Sequence, residues 1–386
     1  MTEGIKRPES AREVEQVEVT DTQRPPLADC DVHEGIRSVN ELRPYLAEEW
    51  HMYLNRDSLP RVPPKHPYGH PHGGTSLDVI HPDGSSDDQF PDRVRDQLLD
   101  GLGVTHAMLM GTFPNSLSGM PQGKFAAGLA AAYNDWLIAT WLSVDSRFKG
   151  SVAVAAQEPR LAADEIDRVG RHPSMVQVNL PMSSPQVAWG DEKFYPIWDA
   201  AIRNDLRVSF HVCPTTGLQG PPMAIGWPAT YMELRSVYGH HFQANLISLV
   251  CNGVFEKFPD LRVVLLEGGF AWVPSVMWRL DQSWRALRRE VPWLTRRPSD
   301  YIREHVRFGT QPFEEPDKPK HLLDVIDMMG SDEMLMFSTD YPHWDYDTPN
   351  KILLNALPTQ LRQKILWGNA QEFYGFTEIP GEVLGA

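Results

Sequence analysis

Short apolar runs alternate with helical periods along most of this chain. LADCDVHE (27–34) is followed by the helical stretch VNELRPYLAEEW, and VTHAMLM (104–110) by an apolar stretch from Phe125 to Val144. GSVAVAAQ (150–157) leads into LAADEIDRVGR, and MVQVNLP (175–181) into FYPIWDAAIRND. LRVSFHVCP (206–214) precedes a helix expected from His241 to Phe258, and LRVVLLEGG (261–269) one from Trp272 to Arg289. VRFGTQPF (306–313) precedes HLLDVIDMM, and EMLMFSTDYPH (333–343) precedes a C-terminal helix near LRQKILWGNAQEFYGF. Each apolar run is short enough for a strand, and each helical stretch long enough for a crossover.

Strict alternation of this kind implies a parallel sheet, because every parallel connection needs a crossover. Eight repeats favour a closed α/β (β/α)8 TIM barrel, and no G-x-G-x-x-G follows the first strand to suggest a dinucleotide fold. The expected organisation is a mobile tail over 1–26, one barrel over 27–376, and a C-terminal tail over 377–386. From about Leu54 to Pro91 the chain is rich in Pro, Gly, His and Asp without a period, which reads as a lid inserted in the barrel.

Bulk properties narrow the partners. A net charge of -15 opposes binding to nucleic acid or to anionic membranes and leaves a small molecule as the expected partner. No apolar stretch reaches the length of a membrane span; the best, Phe125 to Val144, is interrupted by Asn134 and Asp135. The N-terminus lacks the apolar segment of a secretory signal, and Cys30, Cys213 and Cys251 include no C-x-x-C pair. These features fit a cytoplasmic protein, with a homodimer permitted by apolar residues on the helices.

Polar residues at the C-terminal ends of barrel strands line the active site. Those ends carry Asp31 and His33 on the first strand, His211 on the fifth, Glu267 on the sixth and Asp340 on the eighth. Two imidazoles and three carboxylates suit a divalent ion such as Zn, Mn or Fe, bound singly or as a pair. Taken singly, each has an ordinary reading: Asp31 as a helix cap, His211 as a core histidine, Asp340 as a turn residue before Pro342. Their common position at one end of successive strands favours a metal site.

The arrangement resembles the amidohydrolase superfamily, in particular the group that includes aminocarboxymuconate semialdehyde decarboxylase and the hydroxybenzoate and resorcylate decarboxylases. That group opens with an acid-x-His or His-x-His pair, matched by Asp31 and His33, and continues with a histidine and an aspartate matched by His211 and Asp340. FEKFPDLRVVLLEGG (255–269) and KILWGNAQEFYGF (364–376) add to the likeness. The resemblance implies a metal-dependent hydrolase or carboxy-lyase in which Asp340 moves the proton. One departure is chemical: where the decarboxylases carry histidine in a GH-x-G setting, this chain has Glu267.

A carboxylate there can bridge two metals, so a dinuclear centre with His240, His241 or His343 is the alternative. A diiron hydroxylase of the platensimycin and platencin pathways shares this fold, and dioxygen chemistry on two irons is what that likeness would imply. A binding barrel without catalysis is the third reading. His241 is the expected inward member of its pair, whereas His66, His70 and His72 are read as solvent-facing. Glu267 is the expected proton donor of a decarboxylase. Trp272, Trp344 and His343 are expected to line the pocket, and Arg61 to meet a substrate carboxylate.

Overall fold

A computed structural model describes residues 25–54, 68–184, 187–212 and 226–377. Eight parallel strands follow one another in sequence order: β1 (Ala28–Val32), β2 (His106–Leu109), β3 (Phe148–Ala153), β4 (Met175–Pro181), β5 (Arg207–His211), β6 (Val263–Leu265), β7 (Val306–Gly309) and β8 (Leu335–Met336). The longer helices are α1 (Gly123–Leu137), α2 (Pro159–Val169), α3 (Tyr195–Arg203), α4 (Tyr231–Cys251), α5 (Val273–Leu287), α6 (Pro298–His305), α7 (Pro319–Met329) and α8 (Asn369–Tyr374). This is the expected (β/α)8 barrel. No helix among the described residues is long and apolar enough to cross a membrane.

Local chemistry explains several boundaries. Proline opens α2, α6 and α7, where its missing N–H costs no helical hydrogen bond. Gly330 closes α7 at a left-handed φ of 74°. Thr230 caps α4 by accepting from Glu233 N (3.1 Å), while Glu233 reaches back to Ala229 N (2.6 Å).

Alternation along the strands then sorts side chains into two compartments. Odd and even positions separate cleanly on β5 and β6: Val208, Phe210, Val263 and Leu265 join the apolar layer under the helices. Val264 and Leu266 turn inward with Ala28, Cys30, Met108, Met110 and Met336, and Phe373 and Tyr374 of α8 pack against them. The interior is therefore filled, which leaves its rim as the place for chemistry.

Closure runs through the seam between β1 and the segment after β8. Cys30 N donates to Phe337 O (3.0 Å), Asp340 N to Asp31 O (2.9 Å) and His33 N to Tyr341 O (2.8 Å). Asp29 reinforces this seam from a fully buried position. It accepts from Thr339 N (2.9 Å), Thr339 Oγ1 (2.7 Å) and Asp31 N (3.2 Å). Burial pushes its carboxyl up to about 7, against the pull of the Thr339 donors.

Three expectations need correction. The helix after β5 begins at Tyr231, ten residues before His241: Thr230 supplies the start signal, and Leu234, Tyr238 and Phe242 form a buried stripe through its opening turns. VNELRPYLAEEW forms no α-helix but contributes to two 3₁₀ turns, Val39–Leu42 and Glu48–Leu54, with Pro44 unable to donate in an i to i−4 ladder. The eighth strand proper is two residues long, since Phe337 onward leaves β7 to bond β1. The segment expected as an inserted lid, where it is described, packs on the loop after Asp340: Leu54 ends a 3₁₀ turn, Val79 and Asp87 are buried, and Ser76 N donates to Pro342 O (2.9 Å).

If Asp29 holds the seam, Asp29→Ala strands three buried donors and destabilises the fold by about 3 kcal/mol. The expected result is a clear drop in thermal midpoint, with Asp29→Asn, which keeps one acceptor oxygen, falling between the two. An Asp29→Ala midpoint equal to wild type would remove the seam from this account.

Candidate metal centre

The rim is set by two departures from regular strand geometry. On β1, Asp29 pairs with Ala107 but Val32 with Leu109, so β1 carries one residue more than β2 across this interval. Such a bulge switches the side-chain alternation. Ala28 and Cys30 face the filled interior, while Asp31 and His33 both reach the mouth above it. On β6, alternation would send Glu267 outward with Val263 and Leu265. A left-handed φ of 63° turns it instead toward His211, a backbone state costing a residue other than glycine on the order of 1 kcal/mol or more. Asp340 has the same φ of 63°.

These devices bring four side chains together. One ligand atom each from Asp31, His33, His211 and Asp340 lies within 4.8 Å of the others, and all four residues are buried. His33 Nε2 is 3.0 Å from Asp340 Oδ1 and 3.4 Å from Asp31 Oδ1. His211 Nε2 is 3.4 Å from Asp31 Oδ2 and 3.6 Å from Glu267 Oε2. Both Asp31 oxygens, both His33 ring nitrogens, His211 Nε2 and Asp340 Oδ2 are buried yet make no hydrogen bond of good geometry.

Orphaned buried donors and acceptors are costly unless something else satisfies them. A divalent cation does so for this donor set, with oxygen and imidazole ligands from three strand ends, β1, β5 and β8. His211 is prepared for the role: its Nδ1 lies 2.6 Å from Val212 O, a contact that places the proton there and leaves the Nε2 lone pair facing the carboxylates. The residues fit a metal.

Electrostatics point the same way. Burial alone would lower His211, but Asp31, with Glu267 and Asp340, holds it up at about 10. Burial likewise opposes the charge on His343, which Asp340 raises to about 9. Asp340 itself lies well below the usual carboxylate range despite burial, because His343 and His33 adjoin it. Burial and the charge of Asp340 push Glu267 up to about 8. His33 is lowered by burial and by His343. Protons thus occupy the positions that a cation would take, and the two compete.

Other expected residues fall as follows. His343 joins the cluster: its Nδ1 contacts Asp340 Oδ1, and its ring lies 4.4 Å from that of His33. Trp344 stands at the rim, 36% exposed, with its backbone N–H donating to Gly74 O (3.1 Å). Trp272 donates from Nε1 to Gly268 O (3.0 Å) and packs on Phe308, so it braces the β6 end. His241 is half-buried and His240 exposed, in the order expected, but neither belongs to the ligand cluster. Arg61 and His66 lie outside the described residues. His70 is not solvent-facing: it is half-buried and stacks on Tyr231 at 4.4 Å, because the segment carrying it packs against α4.

Sequence reasoning missed two supports. Asn115 Nδ2 lies 3.3 Å from His211 Nδ1 and its Oδ1 accepts from Asn179 Nδ2 (2.9 Å), linking the ends of β2, β4 and β5. Asn179 was findable as a polar tip on the β4 run MVQVNLP. Arg235 was overlooked because its helix was expected to start after it, although Leu234, Tyr238 and Phe242 mark the buried face of that helix. Its NH1 is 3.7 Å from Glu267 Oε1 and its NH2 donates to Asp345 Oδ2 (2.5 Å).

The sequence profile of the family described as Amidohydrolase matches residues 87–376. The chain belongs to the amidohydrolase family. It is 25% identical over 289 residues to a gamma-resorcylate decarboxylase of Polaromonas sp. (strain JS666 / ATCC BAA-500), covering 72% of this chain and 86% of that one. A second gamma-resorcylate decarboxylase, from Rhodococcus jostii (strain RHA1), is 27% identical and covers 64% and 76%. Among solved structures, an amidohydrolase from Mycobacterium avium subsp. paratuberculosis K-10 superposes with a TM-score of 0.72 at 18% identity, covering 92% of this chain and 99% of that one. A Polaromonas dihydroxybenzoic acid decarboxylase solved with manganese and 2-nitroresorcinol gives 0.63 at 19%, covering 92% and 98%. The expectation of an enzyme of this family, on this fold, is borne out.

Metal bound to the folded protein raises its thermal midpoint. His33→Ala and Asp31→Ala are expected to lose both bound divalent metal and the rise in midpoint that added metal gives, while keeping their far-UV circular dichroism. Retention of full metal content in either variant would overturn the assignment.

Proposed function

We propose that this amidohydrolase is a carboxy-lyase that removes a carboxylate from a small aromatic acid, using one divalent metal, manganese or zinc. The observation that carries this reading is the buried donor set Asp31, His33, His211 and Asp340, whose orphaned polar atoms fit a cation at the mouth of a filled barrel. The kinship with decarboxylases of carboxylated phenols supports the substrate class.

When bound there, the metal orients the substrate carboxylate and draws off negative charge. Loss of CO2 from an aryl carboxylate requires a proton on the ring carbon that bears it. In this reading Glu267, at the edge of the donor set beside His211, carries that proton. Asp340, paired with His343 and His33, keeps its charge and fixes the two imidazoles. The strained backbone at Glu267 and Asp340 aims both carboxylates into the mouth before substrate arrives. Trp344 at the rim offers a face for the ring.

A second reading has one specific observation behind it. Glu267 and His343 adjoin the donor set closely enough to help hold a second ion, as a diiron oxygenase would require. Metal stoichiometry and oxygen uptake separate the two. A cytoplasmic setting and a homodimer complete the proposal, supported by the charge balance and by exposed Trp278, Leu287 and Trp293.

The test is CO2 release from a panel of hydroxybenzoates by manganese-loaded protein. The expected outcome is one CO2 per phenol formed, about one metal per chain and no oxygen consumed. Glu267→Gln should lower kcat by at least about a hundredfold with its metal retained. Two irons per chain with oxygen-dependent turnover would replace this reading with the second.

A further inference from the structure

The mouth of the barrel poses an electrostatic problem for any anionic substrate. Asp31, Asp340, Glu267 and Asp345 gather there, in a chain whose net charge is -15. One divalent ion offsets two of these charges, and Glu267, protonated at rest, adds its own once it has delivered its proton. An organic acid approaching the site therefore meets repulsion unless a fixed cation lies on its route.

Arg235 is that cation. Among the described residues it is the arginine or lysine in contact with these carboxylates. It projects from the first turns of α4 and is mostly buried, its side chain only 17% exposed. Asp345 holds one edge of the guanidinium through the NH2 bond (2.5 Å), and Gln311 Nε2 in turn donates to Asp345 O (3.4 Å). Tyr231 OH accepts a long bond from NH1 (3.4 Å). The guanidinium carbon lies 5.9 Å from the Tyr231 ring and 5.7 Å from the Trp344 ring. A guanidinium has five N–H donors, and these bonds use two.

The Glu267 contact is not a third. At 3.7 Å it is too long for a hydrogen bond, so attraction there is Coulombic and the facing edge keeps its donors. Glu267 reaches His211 with one oxygen and Arg235 with the other. Arg235 thus lies one carboxylate beyond the metal ligands, oriented by Asp345 and flanked by two aromatic rings. That spacing suits a flat molecule whose first carboxylate goes to the metal while a second anionic group meets the guanidinium bidentately.

We propose that Arg235 is a substrate-binding residue that takes a second anionic oxygen group of an aromatic acid, a carboxylate or phenolate, and so selects dianionic substrates. The assignment rests on the aryl-carboxylate reading above. Its alternative is a purely internal role, in which Arg235 only neutralises Glu267 and Asp345.

Calorimetric titration of the manganese-loaded full chain with benzoate and isophthalate separates these. The two probes differ by one ring carboxylate. Wild type should bind isophthalate at least about tenfold more tightly than benzoate, a difference typical of one charge-assisted pair. Arg235→Gln should abolish that preference while retaining its metal and leaving benzoate within about threefold. Arg235→Lys, which keeps the charge and loses the fork, should recover part of the preference.

Equal binding of both probes by wild type overturns the proposal, as do equal losses for both in Arg235→Gln. Loss of metal from Arg235→Gln and Arg235→Lys alike shows the internal role and also overturns it. If metal-loaded wild type binds neither probe, the aryl-carboxylate reading falls and this proposal falls with it.

Discussion

The seam where the barrel closes governs the rest of the structure. It joins the first strand to the segment after the last, so it brings Asp31 and His33 face to face with Asp340 across more than three hundred residues of chain. Three backbone hydrogen bonds and the buried Asp29–Thr339 pair hold it. The pair is expensive in isolation, because a carboxyl is taken wholly out of water, and stable in place because three donors meet it. Asp29 has no ligand role, yet the ligands depend on it: slippage of this seam by one residue would turn Asp340 away from His33.

The barrel was legible in the sequence because its period is strong: apolar runs of strand length followed by helices leave few alternatives. Strand-tip positions could be read for the same reason, and of the five residues expected there as ligands all but Glu267 lie in one cluster. What the sequence hid was local backbone geometry. The β1 bulge that aims Asp31 and His33, and the left-handed turn that swings Glu267 inward, follow from tertiary closure and leave no mark in the pattern of residue types. Arg235 was overlooked through a misplaced helix start. The opening of α4 carries a buried apolar stripe, Leu234, Tyr238 and Phe242, so its earlier start was legible in the residue pattern.

The segment over 68–90 was legible only as a stretch without period. Its order comes from docking: Thr75 bridges to His343, Ser76 bonds to Pro342, Tyr346 bonds to Asp78, and Tyr341 reaches Gln97 beside buried Asp87. Nearly every one of these contacts lands on the loop that follows Asp340. That loop carries His343, Trp344 and Asp345, so the packed segment fixes the geometry of the rim as well as covering it.

Glu267 and Arg235 are best understood as one feature. The resemblance to the decarboxylases implies histidine where this chain has Glu267, and the exchange adds a carboxyl to a mouth that already holds two ligand carboxylates. Burial and Asp340 keep that carboxyl protonated at rest, and the charge it gains on delivering its proton is tolerated in a buried site only with a counter-ion nearby. Arg235 is that counter-ion, but Asp345 already claims its strongest hydrogen bond and leaves the approach to Glu267 open at 3.7 Å. A counter-ion meant solely for Glu267 would close that gap into a bidentate bond. The gap and the unused donors therefore mark a guanidinium held in readiness for an anion from outside.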